Sequence, residues 1–168
     1  MSATAAARFK IIMTISLREI DAENFHQCLK LKVADGQGNF VADNAVSIAA
    51  SKIFPSLTPL AVYAENEMVG FVMYEHDTET GSFWLARLMI NATQQGKGYG
   101  KLATLAVISK LKEDFDCQEV FLSFVPENIG AEKMYLSVGF KRTGEISDSG
   151  EVIMRFESDG NERLMTDN

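Results

Sequence analysis

Histidine, cysteine and proline are scarce in this chain, and it carries no long apolar run; each shortage removes a class of function. Two histidines, His26 and His76, and two cysteines, Cys28 and Cys117, occur in 168 residues. The cysteines lie far apart without CxxC spacing, and Cys28 falls on the apolar side of an expected helix. Packing thiols are therefore expected, and neither a disulfide nor a metal site is. No stretch approaches the roughly 18 apolar residues of a membrane helix, and Met1 to Met13 lacks the apolar segment and cleavage site of a signal peptide. The expected location is the cytoplasm, with no membrane partner. The formal net charge of −7 argues against nucleic acid, which calls for a basic patch, and suits a cationic substrate.

What is present is the composition of an ordinary globular domain, 46% hydrophobic and 23% charged, in a chain long enough to bury a core. The reading is a flexible leader over 1–13, one domain over 14–157 and a polar tail over 158–168. Thr14 to Ile20 has strand character. Asp21 is placed to cap a helix with Phe25, Cys28, Leu29, Leu31 and Val33 at helical spacing. Asn44 or Asp43 is placed to cap a second, which Pro55 ends. After Pro59, Leu60 to Ala64, Met68 to Tyr74 and Ser82 to Ile90 read as an antiparallel meander, with Gly70 marking a bulge or a close approach. A long helix to Phe115, a strand from Glu119 to Val125, a helix from Asn128 to Gly139 and a closing hairpin over 140–156 complete the chain.

The chain is organised around the segment from Ser82 to Leu111, which reads as strand, glycine-rich turn and helix. Gly96, Gly98 and Gly100 let the backbone turn sharply, and the unpaired first amides of the following helix favour an anion. A phosphate suits that position. Neither familiar nucleotide motif fits: Gly98 is followed by Tyr99 where a Walker loop needs Lys, and Lys101 stands where the dinucleotide fingerprint needs its third glycine.

Gln95, Gly98 and Gly100 instead fill Gln-x-x-Gly-x-Gly, which resembles the pyrophosphate-binding turn of the GCN5-related N-acetyltransferase (GNAT) family. Asn128 to Phe140 is similar to that family's Asn-x-x-Ala-x-x-x-Tyr-x-x-x-Gly-Phe, and the element order matches it from about Thr14 to Phe156. The resemblance implies an α/β (α+β) fold with a mixed, mostly antiparallel sheet flanked by helices, in the order β1-α1-α2-β2-β3-β4-α3-β5-α4-β6-β7. It implies acetyl-CoA as co-substrate and a small-molecule amine as acceptor. Phe40 to Asn44 with Ser47, the Phe83 to Ile90 strand and Gln95 to Lys101 look like bacterial spermine/spermidine (diamine) N-acetyltransferases within the family. A protein N-terminus, an amino acid or an aminoglycoside is the alternative acceptor, and a non-catalytic acyl-CoA sensor is the alternative outside enzymes.

By the same resemblance, the turn Gln95, Gly96, Lys97, Gly98, Tyr99, Gly100 and Lys101 holds the pyrophosphate, and Lys133 joins the cofactor set. The backbone of Leu88, Met89 and Ile90 pairs with the pantetheine arm. Asn128 bonds the pantetheine amides or only caps its helix; Tyr135 gives a proton to the thiolate or only fills the core. A neutral phenol has a proton to give, since tyrosine titrates near pH ~10. For the base, Glu75 at the end of β3 is the candidate, beside His76 or a water relay. Asp35, Asp43, Glu65, Glu67, Glu75, Asp77 and Glu79 supply charge that suits a polycation. Exposed edges near the last hairpin permit a homodimer.

Overall fold

The computed structural model describes residues 14–158. The expected leader over 1–13 and all of the expected tail except Ser158 lie outside the described residues. Seven strands form one sheet in the order β1-β2-β3-β4-β5-β7-β6. In chain order these are β1 (Ile15–Glu19), β2 (Leu57–Ala64), β3 (Glu67–His76), β4 (Phe83–Ile90), β5 (Glu119–Phe124), β6 (Lys141–Ile146) and β7 (Val152–Glu157). The helices are α1 (Phe25–Lys30), α2 (Asn44–Ile53), α3 (Tyr99–Phe115) and α4 (Ile129–Val138). The element order read from the sequence is the order found. Every neighbouring pair is antiparallel except β4 with β5, which run parallel around the α3 crossover.

Each face of the sheet buries one apolar set. Leu60, Val62, Val72, Leu85, Val120, Leu122 and Phe124 pack with Ala103, Val107 and Leu111 of α3 and with Tyr135 of α4. Ala61, Tyr63, Phe71, Met73 and Met89 face the other way, toward Cys28 of α1 and Ile48 of α2. Adjacent strand residues thus divide between the two cores, as strand alternation requires.

Two boundaries and one capping contact differ from the sequence reading for local reasons. Asp21 does not begin α1; its Oδ1 accepts from the amides of Glu23 and Asn24 while Asn24 Oδ1 accepts from the Asp21 amide, closing a reciprocal turn before Phe25. Asp43 is the N-cap of α2, as the sequence suggests, but without a side-chain capping bond. Asn44 is buried and donates to the Cys28 carbonyl at 2.9 Å, satisfying the end of α1. Strand β2 starts at Leu57, before Pro59, because β1 stops at the Glu19–Leu60 pair and leaves Pro59 a ladder partner on the β3 side only.

Two irregularities shape the sheet near the central strand. At Gly70 a Cβ would stand 2.4 Å from the Met89 carbonyl oxygen, so β3 and β4 approach there as closely as only glycine permits. Ala86 is an extra residue in β4: Met73 pairs with Arg87 and Tyr74 with Leu85. The bulge re-aims β4 immediately after its last pairing with β5.

Candidate active site

Strands β4 and β5 pair at Phe83–Val120, Trp84–Phe121 and Leu85–Leu122, and no further. Beyond Leu85, β4 bends away, and a cleft of about 980 Å³ opens between the parted strands, the glycine turn, the α1–α2 loop and the start of α4.

The turn is built from its own sequence. After a short 3-10 segment (Ala92–Gln94), Gly96 has φ +75° and Gly98 φ +86°, left-handed values that a side chain rarely adopts. Gly98 is the N-cap of α3, and Leu102 makes the first intrahelical bond, to the Gly98 carbonyl at 3.2 Å. The amides of Tyr99, Gly100 and Lys101 therefore precede the helical ladder, with the positive end of a 17-residue helix behind them. Gln95 fixes the turn to its surroundings. Its amide nitrogen donates to the Ile90 carbonyl at 3.0 Å and to Gln37 Oε1 at 2.8 Å, tying the end of β4 to the α1–α2 loop.

Helix α4 supplies the opposite wall. Asn128 Oδ1 caps it by accepting from the Ala131 amide at 3.2 Å, and Gly139 ends it in a left-handed conformation. Asn128 and Tyr135 both line the cleft, two turns apart on one helix face. The Tyr135 ring packs against Phe124 and Phe140 at centroid distances of 6.4 and 5.7 Å. Burial pushes its phenol well above the ordinary tyrosine value, so it stays protonated across the neutral range.

Eleven of the fourteen site residues singled out from the sequence line this cleft: Leu88, Met89, Ile90, Gln95, Gly96, Gly98, Tyr99, Gly100, Lys101, Asn128 and Tyr135. Lys97, Lys133 and Glu75 do not. Lys97 Nζ donates to Gln94 Oε1 at 2.9 Å on the outer side of the turn. Glu75 stands outside the cleft lining: near the end of β3, opposite Trp84, its carboxylate accepts from Ser56 Oγ at 3.2 Å.

The sequence reading missed Glu151 and Ser123. Glu151 precedes β7, lines the cleft and accepts from Ser123 Oγ at 2.7 Å. The available signal was a serine in the otherwise apolar run Val120 to Val125. Arg87 also lines the cleft; its Nη1 donates to the Ala86 carbonyl at 2.7 Å, and its buried Nε has no partner among the described residues. Beside the cleft lies a smaller hollow of about 290 Å³ that holds Asp35 and Asp43 and shares Val33, Val41 and Met89 with it. Glu67 is occupied by Gln94 Nε2, and Asp77 by Thr80 and the Glu79 amide.

The parted parallel pair, the unpaired amides at the start of α3 and the buried phenol of Tyr135 thus share one cleft, an arrangement that suits a phosphate-bearing ligand. The model of the Acetyltransferase (GNAT) family matches residues 19–140. The chain is 32% identical over 148 residues to the Spermine/spermidine N(1)-acetyltransferase of Bacillus subtilis (strain 168), covering 84% of this chain and 97% of that protein. Its fold matches AAC(6')-Ib in complex with paromomycin and acetyl-CoA at a TM-score of 0.74, 19% identity and coverage of 92% and 99%. It also matches spermidine N-acetyltransferase from Vibrio cholerae in complex with CoA and spermine at 0.69 and 15% identity, covering 86% and 95%. The chain belongs to the GNAT acetyltransferase family. It is an N-acetyltransferase that uses acetyl-CoA. Among the described residues, no group of His, Cys, Asp or Glu is placed to hold a metal, and no helix is long and apolar enough to cross a membrane.

Proposed function

We propose that this enzyme transfers the acetyl group of acetyl-CoA to a primary amine of an aliphatic polyamine, spermidine or spermine, within one ternary complex. The match to the Bacillus spermine/spermidine enzyme over nearly all of both chains carries this reading. The carboxylates of Glu151 in the cleft and of Asp35 and Asp43 in the adjoining hollow support it, since they offer a polycation more than one counter-charge.

The chemistry is divided among the walls. The thioester supplies an activated acyl carbon. The free amides of Tyr99, Gly100 and Lys101 bind the pyrophosphate, the glycine turn lets them approach it, and Lys97, Lys101 and Lys133 add positive charge toward the phosphates. The main chain of Leu88, Met89 and Ile90, left unpaired by β5, bonds the pantetheine arm as an added strand would, and the Asn128 amide nitrogen donates to it. The amine gives its ammonium proton to solvent and attacks as the free base; the C–N bond forms, the C–S bond breaks, the departing thiolate takes the Tyr135 proton, and the proton shed by the acylated nitrogen returns through water to the Tyr135 phenolate. Neither cysteine serves as a nucleophile: Cys28 is fully buried on the α1 side, and Cys117 Sγ donates to the Glu119 carbonyl at 3.0 Å.

The domain is taken as 14–157. We read the protein as cytoplasmic, without a nucleic-acid or membrane partner, and its exposed β6 edge, with Ile146 at its end, as open to a homodimer.

Direct transfer is tested by incubating enzyme with acetyl-CoA alone and then adding spermidine. The expected result is unmodified protein in the first step and mono-acetylated spermidine in the second, by mass spectrometry. An acetylated protein that passes its group to the amine contradicts the mechanism.

A further inference from the structure

We propose that Glu151, held by Ser123, is the carboxylate that receives the cationic amine of the acceptor; this rests on the cleft being an amine acetylation site. Among the described residues lining the cleft, Glu151 is the one carboxylate, whereas Arg87 and Lys101 are cations. It has one counter-charge to offer and no ion pair among the described residues to occupy it. Ser123 Oγ binds Oε2 at 2.7 Å, which orients the carboxylate and leaves Oε1 open. The backbone is pinned as well: the Glu151 amide donates to Ser147 Oγ at 3.1 Å, and its carbonyl accepts from the Ser147 amide at 2.9 Å.

The topology places this acid where the acceptor must enter. Leu122 and Phe124 face α3 and Tyr135, so Ser123 between them points to the opposite face of the sheet. Glu151 follows Ser123 and enters the cleft from the side away from the α3 core. The amides that suit phosphate stand at the other end, at the start of α3. Negative and positive ligand groups are thereby sorted: phosphates to the turn, ammonium to Glu151. Arg87 on β4 faces the same side as Met73, its ladder partner in the α1–α2 core. Its charge disfavours a bare ammonium against β4 and leaves Glu151 as the favourable contact.

The test is steady-state kinetics of the full chain with spermidine varied at saturating acetyl-CoA, in wild type, Glu151→Gln, Glu151→Asp and Ser123→Ala. Glutamine keeps an acceptor for Ser123 and removes only the charge. The expected result is a rise of about tenfold or more in spermidine KM for Glu151→Gln with the acetyl-CoA KM unchanged, and a smaller rise for Ser123→Ala. A wild-type spermidine KM in Glu151→Gln overturns the assignment and leaves the polyamine reading intact. Should Glu151→Gln melt below wild type, Glu151→Asp decides. A spermidine KM near wild type with the charge retained supports the assignment, and a rise as large as that of Gln overturns it. If wild type acetylates another amine and not spermidine, the polyamine reading fails, and the same KM comparison with that amine decides the role of Glu151.

Discussion

Leu85 and Leu122 form the last pair of the β4–β5 ladder, and the cleft opens just beyond them. The Ala86 bulge turns β4 outward at that point, exposing the main chain of Leu88 to Ile90 on one side and the Ser123–Glu151 contact on the other. Function follows from where one ladder stops.

The phenol of Tyr135 is the proposed acid. Tyr135→Phe keeps the ring contacts with Phe124 and Phe140 and removes only the hydroxyl. It is expected to lower kcat by about a hundredfold or more with little change in acetyl-CoA affinity. Wild-type kcat in this variant removes Tyr135 from the acid role.

Asn128 has two separable jobs, since its oxygen caps α4 and its amide nitrogen is assigned to the cofactor. Asn128→Ser retains a capping oxygen, so stability is expected within about 0.5 kcal/mol of wild type while the acetyl-CoA KM rises. Asn128→Ala is expected to lose about 1 kcal/mol as well. Equal acetyl-CoA KM values in wild type and both variants reduce Asn128 to a helix cap.

Gly70→Ala drives a Cβ to within 2.4 Å of the Met89 carbonyl oxygen, a backbone atom with no rotamer to yield. Denaturant unfolding is expected to show a loss of about 1–3 kcal/mol, with reduced activity because β4 must shift. Gly130→Ala is the control: nothing lies within 4 Å of its Cβ position, and alanine suits a helix. No loss in Gly70→Ala contradicts the close approach.

Burial raises the Cys28 thiol from 9.0 to about 11, opposed in part by Asn44. The folded protein keeps a proton that the unfolded chain sheds near 9.0, so this contribution is whole below that pH and is lost as pH rises through about 11. The gap corresponds to about 3 kcal/mol. Stability of wild type is therefore expected to fall more steeply across this window than that of Cys28→Ala, whatever the offset between them at pH 8. Parallel profiles contradict it.

Much of this was legible in the sequence because it depends on neighbours along the chain. Gln95 to Lys101 and Asn128 to Phe140 are continuous, and their glycines, cap and spacing dictate turn and helix locally. Helix α1 was overextended because Leu31 and Val33 continue the apolar spacing, although the chain turns extended at Leu31 to meet Asn91, whose Oδ1 accepts from the Lys32 amide. Glu151 was illegible because its partner lies 28 positions earlier, and only the insertion of β7 beside β5 brings them together. Closeness to β4 in sequence points to Glu75, but the fold turns its carboxylate to Ser56, a partner 19 positions earlier that no local pattern announces.

The most direct measurement of the central claim is thiol release from acetyl-CoA with spermidine, spermine, putrescine, an aminoglycoside, amino acids and a short peptide. Saturable turnover with spermidine or spermine and little with the others is the predicted result. Turnover confined to another amine, or acetyl-CoA binding with no turnover by any, contradicts the assignment of this cleft to polyamine acetylation.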